Sequence, residues 1–592
     1  MSKGQQEQAA TDMDKREAMR QWFRDAKFGL FIHWGIYSVT GRGEWLRNVE
    51  KVPEDEYAKQ IPLFTAERFD AVQWAKLAKE AGVNYVVFTT KHHDGFCMFD
   101  AHNTDWKVTN SPCGRDVLAE LTRACLAEGL KVGFYYSIMD WHHPDYLPRL
   151  EFEADSRPAE GHHVMDYIAY MREHLHQLLT EYGEAPFVLW YDGGWMNTPD
   201  ELGAAETNAM ARRWHPGLLI NDRHHTEEDL ITPEQSVPAT GLFGKDGKPA
   251  LWEACITMTS YWWGYDAYER RFKEPAYLLR MLVDIVSKGG NFLLNVGPKP
   301  DGTIQKEFVS RLKDIGAWLA KYGDAIYQTT PSPFNLLPFY GRVTCKGNRL
   351  FVHLFHWPKC GYVLLPNLKG NILSVKRMGD RKGTCSFHRS KGGWKIILSK
   401  RSHALKEAVH VIEVEMAEPP VAEPVVIRPN RVGDVPLPVL YGQIQGPHGQ
   451  RIRYEVFRDV PVVDNWSHVS DSISWEIELP EAAKYEFWIH SYVSVDCKGL
   501  KYAFYANPQS RPALAPNGLP VTGGDGVLQF TDSPNCVFEP KKGGGLSHWQ
   551  KVATVSLNAG KNDLRIVLQD LQAGDGMILF DAKLVRKEDN AE

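Results

Sequence analysis

The sequence predicts an α/β chain: a (β/α)8-like barrel over residues 1–335, then two all-β sandwich domains over 336–428 and 429–592. Three observations lead there. Apolar, strand-like runs alternate with helix-period segments through the first 335 residues. Polar residues gather where five of those runs end. Beyond Gly341 the helical period stops and short alternating strands replace it.

The strand-like runs of the first part are Phe28–His33, Asn84–Thr90, Lys131–Ser137, Phe187–Asp192, Leu218–Asp222, Ala254–Met258 and Asn291–Val296. Helical patterns lie between most of them, among them Ala71–Ala81, Asp116–Glu128, Val164–Tyr182 and Ala276–Ser287. A strand that is apolar along its whole length is buried on both faces, as in parallel sheets. Seven such units suit a barrel that is one strand short or irregular. A doubly wound open sheet is the rival, but no G-x-G-x-x-G or Walker loop follows any strand.

The region from Gly341 to Glu415 carries Arg349–Phe355, Gly361–Leu365, Trp394–Leu398 and Val409–Val414, the pattern of a small antiparallel sandwich. The proline-rich stretch Glu418–Pro438 has no periodicity and predicts a linker. The last part predicts a sandwich or jelly roll, with glycine-rich loops at Gly523-Gly524 and Gly543-Gly544-Gly545. Its segment Val552–Ile566 loosely resembles appended carbohydrate-binding modules. Core packing is the default role for Trp466 and Trp549, and sugar stacking the alternative.

At 592 residues the chain exceeds one core, and its 43% hydrophobic and 24% charged residues are those of a globular protein. A net charge of −6 argues against nucleic acid or an anionic membrane as partner. No run reaches the length of a membrane span. The nine cysteines show no C-x-x-C spacing, which predicts free thiols and slightly favours a cytoplasmic setting. Met1–Arg24 does not read as a signal peptide, and removal of one would leave the compartment secreted or periplasmic. Oligomeric state is left open. Of 19 tryptophans, thirteen lie between Trp22 and Trp318, so an aromatic-lined site belongs to the first part.

Within that part the polar strand ends are His33-Trp34, Lys91-His92-His93-Asp94, Tyr136-Ser137, Asp192 and Asn221-Asp222-Arg223. In a parallel barrel these ends share one face, which carries the active site. Asp192 closes an apolar strand and is flanked by Trp190 and Trp195; an uncompensated buried charge costs several kcal/mol, so its presence points to use. An N-cap role is the bland alternative. His33, His92 and His93 suit the reading of sugar hydroxyls, since a neutral imidazole offers one donor and one acceptor. A metal site is disfavoured: adjacent His92 and His93 point to opposite sides if the strand continues, and no H-E-x-x-H is present.

Several segments, in order, strongly resemble the α-L-fucosidases of glycoside hydrolase family 29. They are Lys27–Gly35, Gly43-Glu44-Trp45, Lys91–Phe96, Tyr135-Tyr136-Ser137, Trp190–Gly193 and Ser287–Pro298. The resemblance covers residues 17–335. It implies a retaining, metal- and cofactor-independent exo-hydrolase that forms a covalent fucosyl-enzyme and acts on a fucosylated glycan. It implies Asp192 as nucleophile and His33, Glu44, Trp45, His92, His93, Tyr136, Trp190 and Arg223 as sugar contacts. Trp263, in Trp262-Trp263-Gly264, matches the aromatic set against the fucose methyl group, whose burial is worth about 0.8 kcal/mol.

The acid/base stays open between Glu234, in Thr232-Pro233-Glu234-Gln235, and Glu253, in Leu251-Trp252-Glu253-Ala254. Topology prefers Glu234, on a loop leaving the catalytic face. Glu253 precedes a strand and would sit near the barrel bottom. Glu44 is a third option. Two other readings of the whole remain: a catalytically idle glycan-binding protein on this scaffold, and an exo-glycosidase for a related sugar such as α-L-galactose.

Overall fold

A computed structural model describes residues 3–380, 383–398, 407–445 and 453–587, apart from 458–459, 468, 470, 495–496, 498, 509–533, 543–546 and 573–575. The two glycine-rich loops fall outside the described residues. The chain forms two compact units, 1–233 with 242–328, and 234–241 with 329–592.

Eight parallel strands build the first unit: β1 Phe28–Ile32, β2 Tyr85–Lys91, β3 Lys131–Ser137, β4 Pro186–Asp192, β5 Leu219–Ile220, β6 Leu230–Ile231, β7 Leu251–Thr257 and β8 Asn291–Val296. Their order is β5-β4-β3-β2-β1-β8-β7-β6. A single parallel bridge, Asn221 to Leu230, joins β5 to β6 and nearly closes the barrel. All residues of β1, β2, β4, β7 and β8 are buried, as their unbroken apolar character requires.

The eighth strand, β6, is absent from the sequence reading, and β5 is two residues long instead of five. The physical reason lies in the side chains between them. Asn221 Nδ2 donates to the Tyr191 carbonyl (2.9 Å) and its Oδ1 accepts from the Tyr191 amide (2.9 Å), replacing a ladder pair with β4. Asp229 accepts from the Ile220 amide (3.1 Å) and pairs with Arg16 and Arg212. Side chains thus satisfy backbone groups that a longer strand would have used.

Helices Ala71–Glu80, Val117–Ala127, Val164–Thr180, Ala204–Trp214, Pro275–Ser287 and Lys306–Tyr322 alternate with the strands. Asp70 and Asp116 cap the first two, accepting from the amides of Gln73 (3.0 Å) and Ala119 (2.8 Å), each worth about 1 kcal/mol. Among the described residues no helix is long and apolar enough to cross a membrane. All nine cysteines are free thiols.

The second unit is antiparallel β. A four-stranded sheet and a three-stranded sheet enclose one apolar core, with Leu350, Val352, Leu365, Ile396 and Ile412 at its centre. A further pair of sheets encloses another, in which Phe487 of one sheet stacks on Phe504 of the other at 4.1 Å. Trp466 is buried in this core, whereas Trp549 is 40% exposed. The expected linker ends in structure: Val435–Pro438 is a strand that, among the described residues, pairs with Ile578–Arg586 alone, with Val435 and Leu437 buried. An outer position tolerates Pro436 and Pro438, which have no amide to donate.

Candidate active site

Asp192, the last residue of β4, lies at the C-terminal mouth of the barrel. Gly193 turns the chain away with φ +72°, and a Cβ there would lie 2.7 Å from Met139 Cβ, so both conformation and space require glycine. Asp192 Oδ1 accepts from Arg223 Nη1 (3.0 Å) and Oδ2 from the Tyr135 hydroxyl (2.8 Å). His93 Nε2 stands 3.8 Å from Oδ2. Burial works to raise the carboxyl pKa, but the Arg223 charge and the hydrogen bonds from Tyr135 and Arg223 outweigh it and hold it below the usual range. The group is therefore a buried carboxylate, ionised at neutral pH.

Arg223 is itself fixed. Its Nε donates to Thr232 Oγ1 (3.1 Å), its Nη2 to the Thr232 carbonyl (3.2 Å), and its guanidinium lies 4.7 Å above the Trp190 ring. Trp190 is 1% exposed and donates Nε1–H to Glu253 Oε1 (2.9 Å). Its ring face supports Arg223 rather than standing open as a sugar wall.

The imidazoles are set by their neighbours. Asn295 Nδ2 donates to the Trp263 carbonyl (2.7 Å), so its Oδ1 faces His33 Nδ1 at 2.7 Å as an acceptor. His33 therefore carries its proton on Nδ1 and keeps Nε2 as an acceptor. The Ser137 hydroxyl donates to the Met139 carbonyl (2.6 Å), so it accepts from His93 Nδ1 (2.6 Å), leaving His93 Nε2 as an acceptor too. Burial pushes His33 down to about 3 and His93 to about 4, which keeps both neutral above pH 5. Two fixed lone pairs suit the acceptance of sugar O–H groups.

His92 and His93 do not diverge as an extended strand would require. The β2–β3 register shifts between Thr89 and Lys91, the strand ends at Lys91, and the two rings lie 4.1 Å apart. His92 stacks on Tyr135 at 5.6 Å, and its Nδ1 is buried with no hydrogen-bond partner. The buried pair Lys91–Asp140 (2.8 Å) ties this turn to the segment after β3.

Glu44 Oε2 accepts from the amides of Trp263 (3.0 Å) and Gly264 (2.8 Å). Trp263 is thus held between Glu44 and Asn295, with its ring 5.1 Å from His33. Gly297 permits the approach: a Cβ there would meet the Gly264 backbone at 2.6 Å. Trp45 packs on His93 at 5.0 Å and on Trp141 at 5.3 Å.

Two expected positions need correction. Tyr136 points out of the barrel, with its hydroxyl 2.9 Å from His174 Nδ1 on helix Val164–Thr180 and Lys91 Nζ 4.7 Å from its ring. Alternation along β3 puts Tyr135, not Tyr136, on the inside. Glu253 does not precede its strand but is the third residue of β7, fully buried, with Tyr85 OH donating to Oε2 (2.7 Å) and Trp190 to Oε1.

Burial raises Glu253 to about 7. In the unfolded chain a Glu titrates near 4.3, so between that value and 7 the fold holds a proton the unfolded chain has lost, and stability falls as pH rises. Glu253→Gln should flatten this slope: the stability of the variant relative to wild type, from urea titrations, should rise between pH 5 and pH 8. A difference that is constant over that interval would contradict the assignment.

The family model described as alpha-L-fucosidase matches residues 1–324. The chain belongs to the α-L-fucosidase family. An alpha-L-fucosidase of Dictyostelium discoideum is 30% identical over 416 residues, 64% of this chain and 87% of the relative. Alpha-L-fucosidase isoenzyme 1 from Paenibacillus thiaminolyticus superposes with a TM-score of 0.65 at 38% identity, over 68% of this chain and all of that one. A Bacteroides thetaiotaomicron family 29 fucosidase, trapped as a covalent intermediate with 2-fluoro-fucosyl fluoride, gives a TM-score of 0.60 at 28% identity, over 67% and 96% of the two chains.

Within this fucosidase barrel, then, one mouth gathers His33, Glu44, Trp45, His92, His93, Asp192, Arg223 and Trp263, with Trp190 beneath. Glu234 is exposed and belongs with the second unit, two residues beyond the Thr232 that holds Arg223. Sequence reasoning missed Tyr135, Asn295 and Thr232. The polarity of Asn295 within the apolar run Asn291–Val296 was the one available signal for it.

Proposed function

We propose that this member of the fucosidase family hydrolyses terminal α-L-fucosides with retention, Asp192 attacking the anomeric carbon and Glu234 serving as acid/base. The observation that carries the reading is Asp192 itself: a strand-end carboxylate kept ionised by Arg223 and Tyr135 amid aromatic rings and acceptor imidazoles. In the first step the C1–O bond to the leaving group breaks as a C1–O bond to Asp192 forms, and Glu234 gives its proton to the departing oxygen. Glu234 then takes a proton from water, whose oxygen attacks C1 and frees Asp192. His33 and His93 accept hydroxyl protons of the bound fucose through Nε2. Trp263 meets its methyl group.

The test is proton NMR of the hydrolysis of an aryl α-L-fucoside. α-L-Fucose should form first and mutarotate afterwards. Initial release of the β-anomer, or hydrolysis of an aryl α-L-galactoside at an equal rate, would defeat the reading.

A further inference from the structure

Trp195 stands three residues after Asp192, in the 3-10 turn Gly194–Met196, and is 48% exposed. Its ring lies 5.8 Å from His93, edge to face, and nearly parallel to Trp45 at 6.3 Å. The aromatics deeper in the site are covered: Phe31, Tyr135 and Trp190 are buried, and Trp45 and Trp263 half-buried. Trp195 is thus an open indole face at the rim of a pocket whose floor is sealed by Phe31, Trp190 and Glu253.

The chain then passes Met196, 49% exposed, to Asn197. Asn197 lines a cavity of about 680 Å³ together with Leu147, Arg149, His162, Met165 and Glu201. That volume is within the roughly 300–1,000 Å³ of pockets that take small ligands. Asn197 Nδ2 donates to the Leu147 carbonyl (3.0 Å), while its Oδ1 is buried with no hydrogen-bond partner. That bond fixes Asn197 in the cavity wall beside Leu147.

We propose that Trp195 and the Asn197 cavity form the leaving-group side of the site, built for an oligosaccharide. Trp195 stacks on the C–H face of the sugar that carries the fucose, and the next sugar enters the cavity walled by Asn197, Arg149 and Met165. This rests on the fucosidase reading. An exo-acting pocket closed below has to release the leaving group through its rim, and Trp195, 48% exposed, stands there beside His93 and Trp45. A pyranose presents an apolar face of the size of an indole ring.

The experiment compares kcat/KM for α-L-fucosyl fluoride, whose leaving group needs no such surface, with α-1,2-, α-1,3-, α-1,4- and α-1,6-linked fucosyl di- and trisaccharides. In Trp195→Ala the oligosaccharide-to-fluoride ratio should fall about tenfold or more, and in Trp195→Phe by less than about threefold. Asn197→Ala should lower the trisaccharide rate more than the disaccharide rate. An equal loss on fluoride and oligosaccharide in Trp195→Ala would mean that the indole only props His93 and Trp45, and overturns the proposal. So does a wild type that takes the fluoride but no oligosaccharide. A wild type inactive on the fluoride removes the fucosidase reading itself, and the platform with it.

Discussion

Asp192→Gly is expected to lower kcat on an aryl α-L-fucoside by roughly 10⁴–10⁶-fold, the scale of losing a nucleophile, in a protein that still folds. The fold survives because Arg223 does not depend on Asp192 alone. Two bonds to Thr232 and the Trp190 face continue to hold the guanidinium, whose side chain is 16% exposed. The destabilisation should therefore stay below the roughly 3–5 kcal/mol of breaking a fully buried pair. Azide entering the vacated space attacks C1 in a single displacement, so the rescued product is the β-L-fucosyl azide. Activity in Asp192→Gly within tenfold of wild type, or an α-azide product, would remove Asp192 from the role.

How much of this was legible in the sequence follows from where hydrophobic pattern carries information. The six long barrel strands are buried on both faces, so each reads as an apolar run and its existence was plain. That same property hides the phase of alternation. Tyr135 and Tyr136 are equally apolar in the sequence, and only register shows that one reaches Asp192 and the other His174. β6 is two residues long because Asn221 and Asp229 do the work of a ladder, and no periodicity betrays two residues. The convergence of His92 and His93 depends on a register shift after Thr89, a backbone event without a sequence signature. By contrast Asp192, His33 and Arg223 were legible because each is polar at the end of an apolar run. Trp190 was legible as a site residue, but its use as a support for Arg223 was not, since burial of one ring face depends on a residue 33 positions later.

Glu234→Ala should reduce kcat/KM about 10²–10⁴-fold on fucosides with poor leaving groups and much less on those with good ones, as removal of a general acid does. Added azide should restore turnover by attacking the fucosyl-enzyme, and two displacements then give the α-L-fucosyl azide, opposite in configuration to the Asp192→Gly product. Glu253→Gln is the control, expected to keep activity within about tenfold. Its carboxyl cannot serve as the acid: both oxygens are taken by Tyr85 and Trp190, it has no solvent access, and it lies in the first half of β7 opposite Asn291, the first residue of β8. Asp192 ends β4, and in a parallel barrel that is the other rim. Glu44 is tied to a structural task, its Oε2 accepting two amides that seat Trp263. Glu234 is exposed, so it can exchange a proton with water in the second step, and it follows the Thr232 that orients the guanidinium beside the nucleophile. Azide rescue of Glu253→Gln, with Glu234→Ala unimpaired, would reverse this assignment and require β7 to deliver its carboxyl past Trp190.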